Sequence, residues 1–126
     1  LRDLAPTVTI LTGIAAHMSD SFIRGDVGVA EEVYDYLIHK QDGGIQKPNY
    51  RTHQCDPTLV KEIRQWLSQS KWYQGIDCDR PSGDNKNPSA GIGTYLSGNV
   101  LLADDKVRSR YIGRVPNRNL IGLEME

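Results

Sequence analysis

Leu4, Val8, Leu11, Ala15, Met18 and Phe22 recur alternately four and three residues apart, the spacing that gathers side chains onto one stripe of a helix. The pattern predicts a first helix over about Pro6 to Phe22. The β-branched run Thr7, Val8, Thr9 and Ile10 supports a competing reading, a short strand before a shorter helix, because such side chains are stiff at χ1. After a turn through Arg24, Gly25 and Asp26, a second helix is expected from Val27 to Lys40. Asp26 would cap it, Glu31 and Glu32 fall in its early turns, His39 and Lys40 lie at its end, and Gly43 and Gly44 stop it. Val29, Val33, Tyr36 and Leu37 would then face inward.

A third helix has the strongest signature. Asp56 caps, Pro57 takes the first helical position, and Leu59, Val60, Ile63, Trp66 and Leu67 repeat at helical spacing to about Lys71. From Gln74 to about Ala90 the chain turns to Gly, Pro, Asp, Asn and Ser, and no periodicity survives, which marks a long loop. Beyond it the period becomes two. Strands are expected at Gly93–Leu96, Val100–Ala103, Lys106–Ile112 and Leu120–Glu124, with turns at Ser97 to Asn99 and at Asp104 and Asp105. The expected class is α+β: about three N-terminal helices packed on a C-terminal antiparallel β-meander, in a single domain over 1–126.

Composition narrows this reading. A chain of 126 residues can bury a sizeable core without staples, and a charged fraction of 25% beside an apolar fraction of 38% is ordinary globular usage. The net charge of −1 gives no global attraction to nucleic acid or an anionic membrane, so neither is an expected partner. The apolar run Val8 to Met18 is interrupted by polar residues and is too short to span a bilayer. The chain opens at Leu1, carries no leader pattern and reads as a mature or excised segment; Asn87 precedes Pro88, which rules out a glycosylation sequon there.

Candidate chemistry centres on Cys55 and Cys78, which bracket the third helix. A disulfide between them would close a loop of about two dozen residues and contribute on the order of 3 kcal/mol by the chain-entropy estimate. It would also place the chain in an oxidising, extracellular or secretory compartment. Three other fates remain open, the first being two unpaired structural thiols. Zinc could enlist His53, Cys55 and Cys78 with Asp77 or Asp79, although the paired C-x-x-C spacing of convincing zinc sites is missing. Cys55 could instead act as a thiolate beside His53 or His17, if the local backbone puts them on one face.

Carboxylates pair at Glu31 and Glu32, at Asp77 and Asp79, and at Asp104 and Asp105; each pair has a structural explanation as helix turn, loop or hairpin turn. The glycines from Gly91 to Gly98 lack the G-x-G-x-x-G spacing and precede a strand, so they suit a bulge or close backbone approach better than a phosphate cradle. Arg24, Gly25 and Asp26 match an adhesive tripeptide but already serve as a turn and a cap. The densest charge asymmetry is Lys106, Arg108 and Arg110, two apart on an expected strand, followed by Arg114 and Arg118. These five are the candidate binding residues, either a solvated sheet face or a surface for a protein or other anionic partner.

Two functions follow from these features. One is a secreted, disulfide-stapled interaction domain of the toxin, effector or structural-subunit kind, acting through the basic strand and the long loop, with the apolar first helix as a candidate subunit interface. The other is a small hydrolase or transferase using His53, Cys55, Asp77 and Asp79. No cofactor and no metal is implied, and the common catalytic motifs are absent.

Overall fold

The computed structural model describes residues 6–36, 39–42, 45–48, 51–80, 87–98, 109 and 119–124. The chain forms strands β1 (Ala16–His17), β2 (Val27–Asp35), β3 (His39–Asp42), β4 (Ile45–Pro48) and β5 (Arg51–Gln54), helix α1 (Pro57–Gln69), a 3₁₀ turn (Trp72–Gly75), and strands β6 (Ala90–Ser97) and β7 (Leu120–Glu124). Five strands make one mixed sheet in the order β1-β7-β6-β2-β5, and β3 and β4 form a separate hairpin.

This corrects the expected three helices on an antiparallel meander: among the described residues there is one α-helix, and the C-terminal strands β6 and β7 run parallel. Residues Pro6 to Ala15 form neither helix nor paired strand, and only Ala16 and His17 join the sheet, opposite Leu123 and Gly122 of β7. The segment expected as a second helix is β2 followed by β3. Its inward positions are Tyr34 and Tyr36, two apart, as a strand requires. The β-branched Val27, Val29 and Val33 win over the dipole-compatible placement of Glu31 and Glu32, because the long pairing with β6 on one side and β5 on the other stabilises the extended form.

The third helix is where its capping signature puts it. The Asp56 carboxylate accepts from the Thr58 and Leu59 amides at 2.8 and 2.9 Å, with Pro57 at the first position. Strand β7 matches the expected Leu120–Glu124, and β6 contains the expected Gly93–Leu96. The expected strands at 100–103 and 106–112, and the turn at 104–105, lie outside the described residues.

β6 is flanked by parallel neighbours, and each pairing slips by one residue beside Thr94. On β2 the register passes from Ala30 opposite Gly93 to Glu32 opposite Thr94, leaving Glu31 as a bulge; on β7 it passes from Leu120 opposite Thr94 to Gly122 opposite Tyr95, leaving Ile121. One face of the sheet carries the core: Tyr34, Tyr36, Leu96, Leu120 and Leu123, with Met18 packed against them. Tyr34 and Leu123 lie directly across from Leu96 on its two sides. Leu96→Ala is therefore expected to cost about 3 kcal/mol through lost burial and the residual cavity, measured as a lower urea midpoint with unchanged slope.

Candidate functional site

The bulge at Glu31 gathers distant parts of the chain. Its carbonyl accepts from the Cys55 amide at 3.0 Å, fastening the chain just before α1 to the sheet. Its carboxylate takes Arg64 of α1 on one oxygen at 2.9 Å and the Asn119 amide on the other at 3.2 Å. Asn119 donates again to the Ile92 carbonyl at 3.0 Å, and its own carbonyl accepts from Thr94 at 2.8 Å. This approach needs Gly93, since a Cβ there would sit within 3 Å of the Asn119 carbonyl and side chain and of Ile121. An open cleft of about 330 Å³ lies beside the junction, lined among others by Glu31, Glu32, Cys55, Val60, Lys61 and Arg64. The Arg64 side chain is well exposed, so its ion pair orients the helix more than it stabilises the fold.

Glu32 is committed as well. Burial pushes the Tyr34 hydroxyl above its ordinary value near 10, and the Glu32 carboxylate that accepts its hydrogen bond pushes in the same direction, with Thr52 acting against both. The pair Glu31 and Glu32 therefore lies on a strand, not in a helix first turn, and each member already serves a structural contact.

A second cluster sits at the start of β2, five residues before the Glu31 bulge. Arg24, Gly25 and Asp26 turn the chain, with Gly25 at φ 94°, a left-handed conformation that favours glycine. Asp26 does not cap a helix. Its carboxylate accepts from the Ile23 amide at 2.9 Å, from the Ser89 amide at 2.8 Å and from the Arg80 guanidinium. Arg80 donates further to the Arg24 carbonyl at 2.9 Å and the Asn87 carbonyl at 3.2 Å. Both side chains are nearly buried, Asp26 at 3% and Arg80 at 8% exposure, which removes the carboxylate of the tripeptide from any adhesive role. Burial alone would raise the Asp26 pKa. The amides of Ile23 and Ser89, the Ser89 hydroxyl and Arg80 outweigh it and hold the carboxyl below its ordinary 3.8.

These two clusters separate the residues that a catalytic or disulfide reading would join. Cys55 is tied to Glu31, whereas Arg80, two residues after Cys78, is tied to Asp26. Glu31 and Asp26 are about 16 Å apart along an extended chain at roughly 3.3 Å per residue. A disulfide needs Cα atoms within about 7 Å. Both cysteines are free, Cys55 half-buried and Cys78 exposed, so the expected bridge is absent and the oxidising-compartment argument that rested on it loses its basis. Asp77 and Asp79 stay exposed beside Cys78, and His53 lies on β5 opposite Val33. His53 and Cys55 share no hydrogen bond among the described residues, and no three His, Cys, Asp or Glu groups there could hold a metal ion. The candidate binding residues Lys106, Arg108, Arg110, Arg114 and Arg118 lie outside the described residues. Among those described, no helix is long and apolar enough to cross a membrane.

The apolar stretch expected on a first helix, where it is a candidate subunit interface, lies instead on non-helical backbone. Val8, Ile10, Leu11 and Ile14 are 52, 75, 93 and 97% exposed, the largest apolar exposure in the described chain. The signal for it was present as alternation: Val8, Ile10, Ile14, Ala16 and Met18 are even-numbered and would share one face of a strand. That face is the core face, because Ala16 pairs with Leu123 and Met18 packs against the core cluster.

Two measurements follow from these sites. Arg80→Ala should destabilise the fold by about 3 kcal/mol by leaving a buried carboxylate unpaired. Because the folded Asp26 pKa lies below the unfolded one, its contribution is complete above about pH 3.8 and disappears as the pH falls through the lower folded value. In Asp26→Asn that part of the acid-side slope, read from urea midpoints against pH, should vanish. Thiol titration of the unreduced, unfolded chain should find both cysteines reactive, and protection of the two together would contradict the geometry. No family model matches the sequence and no curated protein matches it, so the function has to be argued from this geometry.

Proposed function

We propose that the chain is an interaction module that docks onto another protein strand through residues 6–15, and that it is not a catalyst. The single observation carrying this reading is the exposure of Val8, Ile10, Leu11 and Ile14 on an arm that leads directly into edge strand β1. Exposing four large aliphatic side chains forfeits roughly 1.5–3 kcal/mol for each one that could be buried, so isolation is costly and docking is favourable. The arm contains no Asp, Glu, Lys or Arg between Pro6 and Met18. It therefore offers a partner main-chain hydrogen bonds and apolar side chains, the chemistry of strand addition. Lys106, Arg108, Arg110, Arg114 and Arg118 keep in this reading the role of binding an acidic partner.

The hydrolase or transferase reading has less support, since Cys55 is tied to Glu31 and His53 pairs with Val33, whereas Arg80, next to Asp79, is tied to Asp26 before β2 begins.

Site-specific photo-crosslinking tests the proposal. A photoreactive residue in place of Ile10, in cells producing the chain, should capture a protein, whereas the same group in place of the exposed Ser68 should not. Capture at both positions alike, or at neither, would contradict docking through the arm.

A further inference from the structure

We infer that the docking partner of the arm is a second copy of this chain, joined by antiparallel pairing of the two arms across a twofold axis at Leu11. This rests on the arm being the docking element and adds the identity of its occupant.

The two outer strands of the sheet are built differently. β5 is four residues long, exposed throughout, and carries Arg51 and His53, the kind of edge that resists pairing. The β1 edge has no such protection. From Val8 to Met18 it has no Asp, Glu, Lys, Arg or Pro, its core-side positions are apolar except Thr12, and only Ala16 and His17 are paired. Residues 8–15 lead into β1 with no helix or turn between them.

Self-complementarity then selects the occupant. With two arms antiparallel and centred on Leu11, Val8 faces Ile14 of the other copy, Ile14 faces Val8, and Ile10 faces Thr12, all on the side of the sheet that carries Leu96 and Leu123. Thr9 faces Gly13 and Leu11 meets its own equivalent on the opposite side. No register position places two charges together or an apolar side chain against a charge. Such an isologous contact closes on itself as a dimer and joins two five-stranded sheets into one.

The area is adequate. Eight aliphatic side chains at about 100 Å² each supply at most about 800 Å², Val8 contributing about half its share because it is already half-buried. The backbone of two paired arms brings the total to the low end of a specific interface, near 1,200 Å². A one-sided contact, with the arm of one copy on the polar β5 edge of another, would bury about half as many apolar side chains and extend without closing. The expected assembly is therefore a reversible, concentration-dependent dimer.

Sedimentation velocity on the full chain tests this. The expected result is a monomer–dimer equilibrium for the unaltered chain, with dimer lost in Leu11→Lys and in Leu11→Glu, because each places two like charges on the axis. Mixing the two variants should restore dimer as a one-to-one heterodimer, an outcome that general misfolding cannot produce. Circular dichroism and the urea midpoint of each variant should match those of the unaltered chain when all are compared at a concentration where the unaltered chain is monomeric, since Leu11 lies outside the core. The inference is overturned if the unaltered chain stays monomeric at sub-millimolar concentration, if Leu11→Lys dimerises unchanged, or if the mixture fails to reassociate. Co-sedimentation of a monomeric chain with phosphatidylcholine vesicles would also overturn it, by making the arm a lipid contact. A monomer whose position 10 crosslinks to a different protein defeats the second-copy inference alone; absence of any crosslink defeats the docking reading with it.

Discussion

Parallel strands have no hairpin to set their register, so something outside the ladder has to align β2 with β6, and here it is the Asp26 carboxylate. It stands one residue before β2 and accepts the amide of Ser89, one residue before β6, while the Val27 amide donates to the Ser89 carbonyl at 2.9 Å. The start of both strands is thus fixed by a single side chain. Arg80 neutralises the charge and, through the Arg24 and Asn87 carbonyls, binds the chain on either side of it. A buried ion pair is weak evidence for added stability compared with an apolar substitute, but it specifies which segments must meet. Here it specifies the crossover, and the crossover determines the rest of the sheet.

The middle of the same strand pair is handled by a different device. Slippage at Glu31 and at Ile121 on the two flanks of Thr94 increases local twist and frees the Glu31 carboxylate from the ladder to meet α1 and Asn119. A second open groove, lined by Leu67 and Ser68 with Ala90, Gly91 and Ile92, places the later turns of α1 beside the beginning of β6. The helix therefore runs down the strand pair from the Glu31 junction towards the Asp26 cluster. That course is what holds Cys55 and Cys78 apart.

Legibility in the sequence follows how local the determining interaction is. α1 was readable because Asp56, Pro57 and an apolar repeat act within a few residues, and the strand at Leu120–Glu124 because it is short and almost wholly apolar. β2 was misread because Glu31, Glu32, His39 and Lys40 happen to complement a helix dipole, while the forces that make it a strand come from residues 51–54 and 90–97. Asp26 and Arg80 are separated by 54 positions, and Glu31 and Asn119 by 88, distances at which no single-sequence pattern signals contact. The cysteines misled for the same reason. Their separation along the chain was compatible with a bridge, but the two tethers that keep them apart are both long-range.

The N-terminal arm differs, because its two readings were equally local. Leu4, Val8, Leu11, Ala15, Met18 and Phe22 fit a helix; Val8, Ile10, Ile14, Ala16 and Met18 fit a strand, and Leu11 belongs to only the first stripe. What decides between them is not propensity but what the apolar face meets. A helix over these residues would need a groove on its own chain, yet the sheet's core face is already filled by Tyr34, Tyr36, Leu96 and Leu123, with Met18 alone reaching it from this segment. As a strand, the same residues need only an edge and a neighbour, and β7 provides the edge at Gly122 and Leu123. The proposed partner is a strand of matching alternation, and Val8 to Met18, with no Asp, Glu, Lys, Arg or Pro, supply one.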